Sequence, residues 1–257
     1  MKLYVGCCGF PVARERYFRT FTLVELQNTF YDLPTEDEAQ RLRNSIPSNA
    51  IVTMKAWQVI THPCTSPTWK RMKRKPSGDL QRYGYLKPTK ENLEAWESVV
   101  RIAKILDAKA IVLQTPPSFG YSEENLRNVL EFFSTIERTI LVCWEPRGTW
   151  RNHREAIAKV VELGIVHVTD LLKEDPVLGS NKVLYTRLHG LGPGEVNYRY
   201  RYTDEDLKKL CAKIKNYLGT VDVAYVLFNN IYMFNDAQRF REIVSSDPEI
   251  SKNVEIH

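Results

Sequence analysis

The chain has 257 residues, 43% of them hydrophobic and 26% charged, which suits one large globular domain that buries a core without disulfide or metal staples. Five cysteines, an odd number with no CxxC pair, argue against a disulfide framework, and no run approaches the roughly 18 apolar residues of a membrane span. The net charge of +5 is local: eight cations and one acid lie between Cys64 and Lys90, which leaves the remainder at −2. No apolar stretch follows a basic region near Met1, so no signal peptide is expected. With free thiols, this predicts a reduced, cytoplasmic protein.

Eight short β-branched runs recur along the chain. The first, "LYVGCC" (3–8), leads into "GCCGF", where Cys7 and Cys8 stand between two glycines. Residues 9–22 make a poor helix. A second strand is predicted over "LVELQNTF" (23–30), and "TEDE" from Thr35 reads as a capping box opening a helix. The third strand, "AIVTMKAW" (50–57), precedes the longest insertion, about 63–90. Leu93, Trp96, Val99, Val100, Ala103 and Leu106 then fall at helical steps of three and four, before a fourth strand, "AIVLQT" (110–115). Ser122 caps a helix carrying Leu126, Val129, Leu130 and Phe133, and "TILVCWE" (139–145) and "VHVTD" (166–170) follow as strands. A short connection, 171–182, leads to "VLYTRLH" (183–189). "TDED" from Thr203 opens the helix of Leu207, Leu210 and Ile214, and "VAYVLFN" (223–229) is the eighth strand.

Most of these runs are apolar on both faces, as strands of a parallel sheet covered on both sides are. Eight strands alternating with helices predict an α/β fold, a single (β/α)8 TIM barrel over residues 1–257 with a basic insertion after strand three. An open doubly wound sheet is the alternative. It calls for a glycine-rich fingerprint after strand one, and "GCCGF", followed by a proline, is not one.

Active sites of such barrels lie at the C-terminal strand ends. Glu25, Gln27 and Thr29 are expected there on one face of strand two, by the two-residue period. Lys55, Thr61 and His62 follow strand three, Gln114 strand four, Glu145 and Arg147 strand five, and Asp170 strand six. Arg187 and His189 share a face of strand seven, and Asn229 and Asn230 end strand eight. Single pairs, such as Glu25 with Lys55, are equally read as structural. Two carboxylates such as Glu145 and Asp170 suit a glycosidase if about 5 Å apart, but Lys55, Arg147 and Arg187 suit an anionic ligand better than a neutral sugar. No cofactor is required by the sequence; a divalent metal on Glu145, Asp170 and His189 is a further reading, without HxH or HExxH spacing to support it. Gly190, Gly192 and Gly194 in "HGLGPGEVNYRYRY" read as an anion-binding loop or as an ordinary turn, and Tyr198, Tyr200 and Tyr202 as base-stacking or rim packing. Within "WKRMKRK", five cations beside Trp69 read as a solvated surface or as a phosphate-backbone contact along Trp69–Lys90.

Taken together, "VELQNTFYDLP" (24–34), "KAWQVITHP" (55–63), "LQTPPSF" (113–119), "WEPRGTW" (144–150), "YTRLHG" (185–190) and "FNN" (228–230) resemble, in order, the motifs of the YecE-like proteins, known as domain of unknown function 72. The resemblance covers nearly the whole chain and implies a TIM barrel. It also implies that Glu25, Thr29, Tyr31, Lys55, Thr61, His62, Gln114, Glu145, Arg147, Trp150, Arg187, His189 and Asn229 occupy the family's motif positions. It brings no reaction, because the family's activity is not established. Two departures stand out: Gln27 where the family has Asn, and "GCCGF" where it opens Gly-Thr-Ser-Gly-Trp. Hydroxyl residues at the cysteine positions mean that a thiol is not required. Cys7 and Cys8 point to opposite faces, one lining the strand ends and the other packing against helices.

Three functions are weighed. The first is an enzyme on a small phosphate- or carboxylate-bearing substrate. Glu145, His189 and Glu25 are its acid–base candidates, and Lys55, Arg187 and Arg147 hold the anion. The second is a metal-dependent phosphodiester or nucleic-acid hydrolase, and the third a non-catalytic nucleic-acid-binding module using the basic insertion. The first is preferred.

Overall fold

A computed structural model describes residues 1–257. The strands are β1 (Lys2–Cys8), β2 (Leu23–Leu26), β3 (Ile51–Lys55), β4 (Ala108–Gln114), β5 (Leu141–Glu145), β6 (Val166–Thr169), β7 (Val183–Leu188), β8 (Val223–Phe228) and a short β9 (Glu255–Ile256). The helices are α1 (Arg14–Phe18), α2 (Asn28–Tyr31), α3 (Glu36–Asn44), α4 (Lys90–Ile105), α5 (Glu123–Thr135), α6 (Arg154–Glu162), α7 (Asp204–Lys215), α8 (Met233–Ser246) and α9 (Pro248–Asn253). Sheet order is β2-β3-β4-β5-β6-β7-β8-β1-β9, and β1 also pairs with β2. Eight parallel strands thereby close into a (β/α)8 barrel, as the strand count predicts. No helix is long and apolar enough to cross a membrane.

The chain divides into two compact units. One comprises Met1–Glu25, Pro47–Ile51 and Val168–His257; the other comprises Leu26–Ile46 and Val52–His167. In the first, Gly6 lies opposite Leu23 in the β1–β2 register, and a Cβ at position 6 would stand 2.1 Å from the Leu23 carbonyl oxygen. Only glycine allows that approach. Tyr17 in α1 fastens the same place: its hydroxyl accepts from the Cys7 N–H (2.8 Å) and donates to the Leu23 carbonyl (2.6 Å). The Thr203 capping box that opens α7 is present, with Asp206 completing it.

In the second unit, the Thr35 box opens α3 and Ser122 caps α5, as their sequences predict. The apolar stripe of α4 buries Trp96, Val99, Val100 and Ala103, and the Trp96 indole donates to the Glu137 carbonyl (3.0 Å). One strand expectation fails. The run 23–30 stops at Leu26 and turns into α2, because the Thr29 hydroxyl donates back to the Leu26 carbonyl (3.1 Å) and on to the Lys55 carbonyl (2.6 Å). A threonine bonded to its own backbone three residues back competes with a strand ladder. Gln27 and Thr29 are therefore not on the face of Glu25 by strand alternation.

Candidate functional site

Within the first unit, β2 and β7 bring Glu25 and Arg187 together. The guanidinium lies 2.8 Å from the Glu25 carboxylate with both side chains 0% exposed, and the Tyr185 hydroxyl donates to the second carboxylate oxygen (2.7 Å). Arg187 is thus a buried partner of Glu25 rather than a surface group waiting for an anion. Desolvation makes such a pair stable only when both charges stay matched. Cys8 lies beside it. Burial raises its thiol well above the ordinary range; the Glu25 carboxylate adds to this and Arg187 opposes it. Cys7 faces the other way, toward Tyr17 and the Asp236 side of α8, and its thiol is also raised, mainly by burial. Neither cysteine is an activated thiolate, since activation requires a lowered pKa.

The end of β7 carries a second polar group. His189 is buried. Its backbone N–H donates to the Asp170 carboxylate (3.0 Å), and its Nδ1 lies 3.1 Å from the Asn229 side-chain amide nitrogen. With the amide donating, Nδ1 accepts and the ring proton sits on Nε2. Asp170 also accepts from the Leu172 N–H (3.2 Å), so its carboxylate organises the loop backbone. No group of three or more His, Cys, Asp or Glu side chains is placed to hold a metal ion. The set Glu145, Asp170 and His189 is therefore not assembled as metal ligands. The glycine loop is a built turn: Gly190 has φ +83°, and a Cβ there would stand 2.0 Å from the Asn197 carbonyl oxygen. Its N–H donates to the Tyr202 hydroxyl (2.6 Å). Tyr202 is buried and Tyr200 donates to Asp206 (2.7 Å), which pushes the Tyr200 hydroxyl up to about 12. Of the three alternating tyrosines, only Tyr198 is exposed.

Within the second unit, neighbouring strands deliver Lys55 (β3), Gln114 (β4) and Glu145 (β5) at their C-terminal ends, and Gln114 pairs with Glu145 in register. Lys55 is 8% exposed, with its ammonium 3.8 Å from the Phe30 ring centroid. A partly desolvated cation over an aromatic face is held electrostatically. Arg147 donates through Nε (3.1 Å) and a terminal nitrogen (2.8 Å) to one Glu145 oxygen. His62 packs edge-on against Phe30 at 5.0 Å, and its Nδ1 lies 2.8 Å from the Thr61 hydroxyl. Burial, then the charges of Lys55 and Arg147, push the imidazole down to about 3. It is neutral at physiological pH. Beside Lys55 in sequence, the Trp57 indole N–H and Gln58 Oε1 are buried without a partner. Each costs about 1–3 kcal/mol unless a ligand or water satisfies it.

Other expected contacts are structural. Trp150 is fully buried, its indole donating to the Phe119 carbonyl (2.7 Å) and its ring 4.9 Å from that of Trp144. It supports the loop after β5 and offers no face to a substrate. The Thr29 hydroxyl proton is shared between two backbone carbonyls, and the Tyr31 ring lies under Arg71 at 4.9 Å. In the insertion, Trp69 is mostly buried and its indole N–H donates to the His62 carbonyl (3.1 Å). Arg74 pairs with Glu38 (2.7 Å) and Arg82 with Glu91 (3.0 Å). Tyr185, Phe30, Trp57 and Gln58 were not singled out by sequence. The two-residue period running back from Arg187 points to Tyr185; Phe30, Trp57 and Gln58 have no local signal beyond lying in the motif stretches.

A (β/α)8 barrel with polar side chains collected at its C-terminal strand ends is the class this geometry defines. The chain matches the family described as "Protein of unknown function DUF72" over residues 13–254, and it belongs to that family, of which YecE-like is another name. It is similar to a DUF72 family protein of Enterococcus faecalis V583, with 16% identity, 96% of this chain and 98% of the other covered, and a TM-score of 0.71. A DUF72 family protein of Thermotoga maritima MSB8 is similar at 22% identity, with 96% and 100% covered and a TM-score of 0.70. A GH18 chitinase of Pseudoalteromonas aurantia shares the fold at 8% identity, with 96% and 100% covered and a TM-score of 0.53. No curated protein matches the chain.

Proposed function

We propose that this DUF72 protein is an enzyme acting on a small anionic substrate, a phosphate or carboxylate compound, held by Lys55 and Arg147. The observation that carries the reading is the convergence, in one unit, of Lys55, Arg147 and the neutral His62. Burial first, and then the charges of Lys55 and Arg147, keep this imidazole neutral, and two cations beside a neutral ring favour an anionic ligand. With Nδ1 beside the Thr61 hydroxyl, His62 has Nε2 left as a neutral polar atom for the same ligand. Glu145, oriented by Arg147, is the acid–base group of this unit, and the two cations stabilise charge that develops in the transition state. His189, fixed by Asn229 and Asp170 in the other unit, is the second acid–base candidate.

A thermal-shift screen of phosphate- and carboxylate-bearing metabolites tests the reading. A ligand at about 100 times its Kd stabilises the fold by about 2.7 kcal/mol. Lys55→Met keeps an apolar stem against Phe30 and should abolish that shift. A screen with no hit, or hits that shift the wild type and Lys55→Met alike, would refute the assignment.

A further inference from the structure

The basic insertion holds a recess of about 440 Å³. Trp69, Met72 and Leu80 form its apolar floor, and Lys70, Lys75 and Cys64 stand around it. We infer that this recess is a second binding site, separate from the Lys55 cluster, for a small amphipathic anion. An aromatic or short aliphatic body would lie on the floor, and a carboxylate, sulfonate or phosphate head would meet the two lysines.

The floor is preformed. The Trp69 indole is fixed by the His62 carbonyl (3.1 Å) and by edge contact with Tyr83 (6.2 Å). Met72 is buried and gives an adaptable apolar surface. Ligand pockets are typically recesses of about 300–1,000 Å³ with apolar walls and a few placed polar groups, and this one fits. The charges single out an anion. Three other cations of the insertion have acidic partners, Arg74 with Glu38, Arg82 with Glu91 and Lys90 with Glu94 (3.6 Å), while Arg71 lies over the Tyr31 ring and Lys87 donates to the Gln81 carbonyl. Lys70 and Lys75 are exposed and have none. An apolar recess rimmed by two uncompensated ammonium groups is complementary to a ligand that is apolar at one end and negative at the other.

Cys64 supplies the readout. It is half-buried, whereas Cys7, Cys8, Cys143 and Cys211 are all buried, so a neutral alkylating reagent modifies it selectively. The probe is 8-anilinonaphthalene-1-sulfonate, added to the native full-length chain. Its fluorescence should saturate at one molecule per chain. At about ten times its Kd it should slow iodoacetamide alkylation of Cys64 about tenfold, by mass action. The uncharged N-phenyl-1-naphthylamine should bind at least about tenfold more weakly, and so should the sulfonate to a Lys70→Glu, Lys75→Glu variant. Both lysines are exposed, so that variant should keep the wild-type circular dichroism and melting temperature. If the sulfonate leaves the Cys64 rate unchanged, or the folded double variant binds it as the wild type does, the site is not there. Neither result bears on the Lys55 cluster, because Lys55→Met should leave Cys64 protection intact.

Discussion

Arg187→Met should lower the unfolding free energy by about 3–5 kcal/mol, measured by urea denaturation. The substitution leaves the Glu25 carboxylate fully buried, with the Tyr185 hydroxyl still donating to it. A carboxylate shut away from water without its counter-charge is the expensive case. Replacing both partners, Arg187→Met with Glu25→Met, removes the stranded charge and should recover most of the loss, since a buried ion pair exchanged for apolar side chains of similar volume is often close to neutral. A single-variant cost below about 1 kcal/mol, the range of exposed ion pairs, would show that water reaches the pair and that it is not the buried anchor described here.

Acidification from pH 7 to pH 5 should cost stability on the order of 4 kcal/mol. His62 and His167 are both pushed from 6.5 down to about 3, in each case mainly by burial; Lys55 and Arg147 add to the effect at His62, and Arg154 at His167. In the unfolded chain both titrate near 6.5. Between 6.5 and about 3 the unfolded state therefore binds protons that the native state refuses. Stability rises with pH wherever that holds, so the contribution is complete above the unfolded pKa and drains away as pH falls. At about 1.4 kcal/mol per pH unit below 6.5, each histidine accounts for about 2 kcal/mol at pH 5. Asp236, raised by burial, acts in the opposite direction and trims the loss. Urea midpoints at the two pH values measure the change, and His62→Asn should roughly halve it. Equal stability at both pH values would mean that neither ring is held neutral.

The barrel was legible because its strands are continuous β-branched runs and its helices carry capping residues at Thr35, Ser122 and Thr203. The opposed directions of Cys7 and Cys8 were legible too, from the two-residue period. Strand ends were less so: one threonine hydroxyl at position 29 turns the chain into α2 where the apolar pattern continues. Which charges meet was not legible at all. Arg187 reads as an anion holder on its own strand, and only the folded arrangement of strands makes it the partner of Glu25, while Tyr185 reaches the same carboxylate from 160 residues away. Trp150 and Trp69 show the same limit, because a motif tryptophan reads alike whether it faces a substrate or donates its indole to a buried carbonyl.

The central claim is that Lys55 and Arg147 hold an anion. Crystals soaked in selenate, an anomalous scatterer that stands in for phosphate, test it most directly. The prediction is an anomalous peak within about 4 Å of the Lys55 ammonium and the Arg147 guanidinium, the range of an ion pair, and no such peak in Lys55→Met. Selenate bound only to surface lysines, with none at Lys55 and Arg147, would contradict it.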